Sequence, residues 1–509
     1  MTSNRRARVL MVQGTSSHAG KSVIATALCR IFAQDGYQVA PFKAQNMSLN
    51  SYATPDGGEI GRSQAVQAAA ALVEPTVEMN PILLKPEADN RSQVVLLGRP
   101  RAVASAREYY RLKSRWWSIV TASLDRLRAE YDVVVIEGAG SPAEVNLRQH
   151  DIVNMRVALH ANAPVLLVGD IDRGGIFAQL VGTMVLLEPE ERALVCGHVI
   201  NKFRGDASLL TSGLDFLHQR TGVPVAGVVP FFTDIHVPEE DSVGLRQAAS
   251  PGTVDEIDVA VMRLPHISNF DDFDPLRHEQ GVRMRYVARA AEFGSPDLIV
   301  IPGSKTTVAD LQWLRAQGLA EQIESARRRH TPVIGICAGY QMLGVDLLDP
   351  HGVESSQAST TGLGLLPTTT TFFPEKATHQ IKGRVTGGHG LLRDCLGAEV
   401  VAYEIHMGAS STAGMASPFL LEQRSRRPVS LPDGAVDADG LTLGTYLHGL
   451  FHNQAVRRSI LACAGARRGI RLAYADDGLD PNLEYDKLAA FVRWHLDINL
   501  IRQAMGLRQ

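Results

Sequence analysis

The apolar run Val9-Leu10-Met11-Val12 leads into Gly14-Thr15-Ser16-Ser17-His18-Ala19-Gly20-Lys21-Ser22, and an Ala-rich stretch, Ser22–Gln34, follows. This strand–loop–helix pattern constrains the fold more than any other feature of the chain. A glycine-rich turn feeding a helix N-terminus aims backbone N–H groups and the positive end of the helix dipole at an anion. Such turns sit at the carboxyl edge of a parallel sheet, so the rest of the chain has to supply βα units.

It does so twice. In the first half, near-continuous apolar runs predict strands at Arg8–Val12, Tyr37–Ala40, Val133–Glu137, Pro164–Val168, Cys196–Ile200 and Val225–Val228. Runs without polar alternation suit strands covered on both faces. Helical stretches such as Ser22–Gln34 and Trp116–Glu130 lie between them, and the βαβα order predicts a doubly wound parallel sheet. A tract rich in Asp, Glu, Pro, Gly and Ser separates this series from a second one. The second holds strand candidates at Asp258–Met262, Leu298–Ile301, Val333–Ile336, Val400–Ile405 and Leu441–Tyr446, with Gln357–Thr371 as loop and edge strand. The expected organisation is a nucleotide-binding domain over residues 1–240, a linker over 241–256 and a second α/β domain over 257–509. A chain of 509 residues exceeds what one hydrophobic core organises, which agrees with this division.

The first loop has the chemistry of a phosphate site. Gly14, Thr15 and Gly20 line the turn, Lys21 reaches the terminal phosphates of ATP, and Ser22 ligates Mg²⁺. Five residues separate the two glycines, one more than in the common P-loop. A metal-bound phosphate also needs a carboxylate at the end of a neighbouring strand. Glu137, closing Val133-Val134-Val135-Ile136, is the expected one. Asp172, in Gly169-Asp170-Ile171-Asp172-Arg173, and Asn201, after Cys196–Ile200, end other strands on the same edge. Asp172 is a candidate substrate residue and Asn201 a candidate for the nucleotide base.

Far downstream stands Gly335-Ile336-Cys337-Ala338-Gly339, where a strand turns sharply into a helix. A thiolate there gains from the helix dipole and the unpaired N–H groups, and the flanking glycines leave room for the turn. Cys337 is therefore the expected nucleophile, with the Ala338 N–H as an oxyanion donor and Gly303, after the strand at 298–301, as a second. His448, which follows the strand at 441–446, is the expected base. Glu404 and His406 alternate on one strand face and are expected to line the pocket of the amide substrate.

Composition narrows the partners. A net charge of −3 and 6% aromatic residues argue against nucleic-acid binding. The five cysteines are scattered, with neither metal spacing nor a disulfide framework, so a reducing, cytoplasmic setting is expected. The apolar run behind the basic N-terminus is too short for a signal peptide, and no stretch approaches a membrane span.

These motifs, together with Gln45-Asn46-Met47-Ser48-Leu49-Asn50, Glu59-Ile60-Gly61-Arg62, Gly169–Gly175, Ser268-Asn269-Phe270-Asp271-Asp272 and Glu404-Ile405-His406-Met407-Gly408, resemble the cobyric acid synthases along the whole chain. The first half is similar to dethiobiotin synthetases and the second to class I glutamine amidotransferases. The resemblance implies that Cys337 and His448 release ammonia from glutamine, and that ATP with Mg²⁺ activates corrinoid carboxylates b, d, e and g of adenosylcobyrinic acid a,c-diamide. It leaves Gln45, Asn46, Ser48, Asn50 and Arg62 as candidates to face the corrinoid. Most class I amidotransferases carry a glutamate two residues after the histidine, and here Leu450 stands there. Another group must orient His448, and Glu404 is a candidate. Cobyrinic acid a,c-diamide synthases, CTP synthase-like ligases and a non-catalytic P-loop switch remain alternatives, and self-association is left open.

Overall fold

The computed structural model describes residues 6–88, 91–238, 253, 255–412, 414–473 and 480–507. The expected linker at 241–256 lies largely outside the described residues.

Two parallel sheets organise the molecule. In the first, six strands run in the order Val225–Pro230, Val195–Phe203, Val165–Asp170, Arg8–Gly14, Val133–Glu137, Val39–Phe42. Every neighbouring pair is parallel, so the strand carrying the phosphate loop lies centrally, beside the strand ending in Glu137. Val133–Glu137 and Val165–Asp170 are buried at every position, as their unbroken apolar sequences require. Helix α1 (Lys21–Gln34) covers one face, with ten of its residues buried. The second sheet has the order Val282–Val287, Ile257–Met262, Leu298–Ile301, Val333–Ile336, Thr442–Thr445, Ala435–Val436, parallel except for the last pair. The strand before Cys337 thus lies between the one leading to Gly303 and the one leading to His448. The candidate nucleophile, base and oxyanion donor meet at one sheet edge because their strands are neighbours.

Two antiparallel elements go beyond the expected strands, of which Val400–Ile405 lies within one. Ile82–Ala88, Arg91–Leu96 and Arg99–Ser105 form a ribbon in the first half. In the second, Thr369–Val385 runs for 17 residues against Glu399–Ser411. The second expected domain, 257–509, also needs correction at its end. Pro481–His495 and Ile498–Met505 return to the first sheet, where Leu488, Val492, Leu496, Ile501 and Met505 join the core formed by Leu10, Leu28, Phe32 and Val135. These helices carry an apolar stripe that α1 and the sheet face complete; removed from it, that stripe would face water.

Candidate active site

Cys337 sits at φ 54°, ψ −109°, a left-handed backbone that a non-glycine residue adopts only under constraint. Its neighbours supply that constraint. The Cys337 N–H donates to the Thr445 carbonyl at 2.8 Å, tying the elbow to the adjacent strand. A Cβ on Gly339 would come within 2.0 Å of the Ile301 carbonyl oxygen, so only glycine lets the helix Ala338–Leu343 approach so closely. The thiol is buried, with Sγ 3.5 Å from the Ile405 carbonyl.

His448 is fully buried beside it. Its Nδ1 lies 2.7 Å from Asp272 Oδ2, while the Gly449 N–H donates to Asp272 Oδ1 at 2.7 Å. Asp272, and not Glu404, therefore orients the base. Glu404 points elsewhere, pairing with Arg424 at 2.5 Å and His406 at 3.6 Å. Burial alone would push the Glu404 carboxyl up, but those two partners outweigh it and hold it below its ordinary range. Burial likewise disfavours a charged His448, yet the Asp272 carboxylate and the Cys337 sulfur overcome this and raise the imidazole to about 10. The Tyr403 ring stacks on the imidazole at 5.2 Å, and Nε2, with no nitrogen or oxygen partner among the described residues, is left to the Cys337 sulfur. Gly303 packs against the same ring: a Cβ there would lie 2.9 Å from His448 Cε1. Ala338 opens its helix, so its N–H has no intrahelical acceptor. His406 lines the cavity beside Cys337 with Ala338 and Gln341.

At the other sheet the residues of the candidate phosphate loop lie close together. Lys21 Nζ donates to the Ser16 carbonyl at 2.9 Å and the Gly140 carbonyl at 3.2 Å, curling over the loop. Ser22 Oγ lies 2.8 Å from Glu137 Oε1, so the two oxygens placed in the metal site are together. Thr15 Oγ1 donates to Gln179 at 3.0 Å. Asn201 Nδ2 donates to the Ala19 carbonyl at 2.9 Å, and it fills the space a Cβ on Gly20 would need. Two residues absent from the expectations join the site. Lys43 Nζ pairs with Glu137 Oε1 at 2.9 Å, and Gln67 Nε2 donates to Glu137 Oε2 at 2.5 Å.

The candidate corrinoid residues divide. Gln45 accepts from the Tyr109 hydroxyl, and Ser48 Oγ caps the Asn50 N–H at 3.0 Å. Asn46 is buried against Ser63 and Gln64. Asn50 and Arg62 are committed to the junction of the halves: Asn50 accepts the Phe270 N–H at 3.3 Å, and Arg62 pairs with Asp271 at 2.8 Å. Asp172 is half exposed and pairs with Arg204 at 3.1 Å.

Comparison with known proteins agrees with this two-site architecture. A cobyric acid synthase from Dehalococcoides mccartyi (strain CBDB1) is 52% identical over 97% of this chain and 98% of its own. The chain belongs to the cobyric acid synthase family. Homologues of that name from Moorella thermoacetica (52% identical, 99% of this chain and 98% of the relative) and Sorangium cellulosum (51%, 98% and 99%) extend the match. The CobQ/CobB/MinD/ParA nucleotide binding domain matches residues 10–243, and the CobB/CobQ-like glutamine amidotransferase domain matches 258–456. The protein is an enzyme built from these two modules.

Asp272 escaped sequence reasoning although its segment carried the family resemblance. It is 176 residues from His448, and nothing local separates it from Asp271. Lys43 and Gln67 likewise lie on elements whose own sequences give no phosphate-site pattern.

Proposed function

We propose that this enzyme is a glutamine-hydrolysing, ATP-dependent amide ligase that converts adenosylcobyrinic acid a,c-diamide to adenosylcobyric acid in the cytoplasm. The reading rests on the Cys337–His448–Asp272 constellation and the Lys21–Ser22–Glu137 loop occurring in one chain of this family.

Cys337 Sγ attacks the glutamine carboxamide carbon while His448, held as the imidazolium by Asp272, gives its Nε2 proton to the departing ammonia. The N–H groups of Ala338 and Gly303 receive the developing oxyanion. The resulting thioester is cleaved by water that His448 deprotonates, which restores the thiolate and releases glutamate. In the other half, Gly14, Thr15 and Gly20 shape the phosphate cradle, Asn201 fixes its far wall, and Lys21 and Lys43 neutralise phosphate oxygens. Ser22 and Glu137 present a hydroxyl and a carboxylate to one point, the hard oxygen donors that Mg²⁺ takes, and would hold it there. When bound, Mg²⁺ neutralises charge on the β- and γ-phosphates. A corrinoid carboxylate receives the γ-phosphoryl group, and ammonia displaces phosphate from the acyl phosphate to leave the amide. Gln45 and Ser48 remain the candidates for contacting the corrinoid.

The test is mass spectrometry of adenosylcobyrinic acid a,c-diamide incubated with the enzyme, ATP, Mg²⁺ and amide-¹⁵N glutamine. Four successive carboxylate-to-amide steps carrying ¹⁵N are expected. Glutamine hydrolysis without a mass change would move the activity to another acid acceptor.

A further inference from the structure

The cavity beside Cys337 is not built by the amidotransferase half alone. Lys85 and Gln93, on the antiparallel ribbon of the nucleotide-binding half, line it together with Lys305, Glu354 and Lys376. Their charges sort into two patches. At one, Lys85 and Lys376 share a single carboxylate, Glu59, at 2.7 and 2.6 Å. All three groups are withdrawn from water, so this cluster carries one ammonium more than it neutralises, an arrangement that favours an incoming anion. Lys305 adds nothing to the balance, because Glu87 cancels it at 2.7 Å.

The second patch is acidic. Glu354 accepts the Thr307 N–H. It lines the cavity, and burial pushes its carboxyl up to about 7 against the pull of Lys305. A ligand cation would keep it ionised. Gln93 stands in the same wall with Oε1 buried and unpartnered, an acceptor without a donor. One net positive and one net negative patch, both beside the nucleophile, match a zwitterion.

On the reading above, that zwitterion is glutamine. We propose that Lys85 and Lys376 seat its α-carboxylate, and that Glu354 with Gln93 Oε1 seats its α-ammonium. Two of these four side chains come from the nucleotide-binding half, so the glutamine site is complete only when the halves are docked. Selection for a free amino acid, against amides that lack either charge, follows from the same four groups.

The experiment measures kcat/KM of the full chain for three amides: L-glutamine, 4-aminobutanamide without the α-carboxylate, and 5-amino-5-oxopentanoate without the α-amine. The wild type is expected to lose ~100-fold or more with either analogue, because each leaves buried polar groups unmatched. In Lys376→Met, glutamine should fall toward the 4-aminobutanamide value, so that removing the carboxylate costs little more, while the penalty for the missing amine stays. Glu354→Gln should show the mirror pattern. Lys376→Arg keeps the charge opposite Glu59 and should keep the carboxylate penalty, which tests the assignment even if the methionine variant fails to fold. Equal losses on all three amides in the variants would mean a purely structural role and overturn the assignment. So would a wild type that hydrolyses glutamine and both analogues alike. A wild type that hydrolyses none of them would overturn the glutaminase reading itself.

Discussion

Replacing Asp272 by asparagine removes one charge and turns the acceptor opposite His448 Nδ1 into an N–H donor. The amide keeps the size of the side chain and an oxygen for the Gly449 N–H, now 2.7 Å from Oδ1, so the loop that carries His448 stays anchored. What disappears is the negative charge 2.7 Å from Nδ1. Burial drives the ring toward neutrality, and Asp272, followed by Cys337, overcomes it and lifts the imidazole from 6.5 to about 10. Because the value is raised, the imidazolium is fully present below 6.5 and is lost only as pH rises through about 10. That preference for the charged ring corresponds to roughly 4–5 kcal/mol. With the aspartate gone, burial prevails, the ring is neutral near pH 7, and the positive charge beside Cys337 is lost. If most of the preference is Asp272's, kcat for glutamine hydrolysis should fall about 10³-fold, equivalent to ~4 kcal/mol of barrier. Ammonia release from glutamine gives kcat. The ¹⁵N signals of the His448 ring across pH give its charge, and their midpoint should move downward from about 10 in Asp272→Asn. A kcat within tenfold of wild type, with an unmoved His448 midpoint, would refute the reasoning and reduce Asp272 to a loop anchor.

Glu137→Gln should lower ATP-dependent amidation by ~10³-fold, measured as phosphate release, while glutamine hydrolysis at Cys337 falls far less. Gly339→Ala places a methyl 2.0 Å from the Ile301 carbonyl, and urea unfolding should show a loss of about 3 kcal/mol together with loss of glutaminase activity. Glu59→Gln leaves the Lys85 and Lys376 ammoniums buried without a counter-charge, a cost of ~3–5 kcal/mol near neutral pH by urea unfolding. Burial would raise the Glu59 carboxyl, but Lys376 and Lys85 hold it well below its ordinary 4.5, so its stabilisation is present above that pH and fades below it. The stability gap between wild type and Glu59→Gln should accordingly close as the pH falls below 4.5.

The parts of the molecule legible in the sequence are those whose determinants are local. Val133–Glu137 is buried on both faces and reads as an unbroken apolar run, and the glycines around Cys337 announce a tight turn within five residues. Thr369–Val385 was read only at its start because it is half exposed and carries Pro374, Glu375 and Lys376 in succession. Its partner Glu399–Ser411 alternates buried and exposed only in its first part, so it was read only as far as Ile405. Pro481–His495 has a helical pattern, but no pattern states which of two sheets will cover its apolar face. The same limit hid Asp272: a carboxylate that acts on a histidine 176 residues away leaves no spacing to recognise. Asn50 and Arg62, candidates to face the corrinoid, bond across the junction of the halves, and polar residues that join two domains look, in one dimension, like residues that meet a ligand.

That confusion has a structural basis, because the junction and the two sites are built from the same short elements. Helix α2 (Arg62–Ala70) begins with Arg62, paired with Asp271, the residue next to the carboxylate that orients His448. Five residues later on the same helix, Gln67 holds Glu137 Oε2 beneath the phosphate loop. Both Glu137 oxygens are engaged, Oε1 by Ser22 and Lys43 and Oε2 by Gln67, so helix α2 helps to fix the carboxylate at the phosphate loop. The opposite wall of the junction behaves alike: Lys376–Glu59 and Lys305–Glu87 each join the halves while their lysines face the cavity beside Cys337. A buried ion pair adds little net stability over a packed apolar contact, but it fixes register sharply, because breaking it leaves a bare charge. An interface held by such pairs beside Cys337 and His448 tolerates few relative positions of the halves, and helix α2, with Arg62 at that interface and Gln67 on Glu137, ties the phosphate loop to the same position.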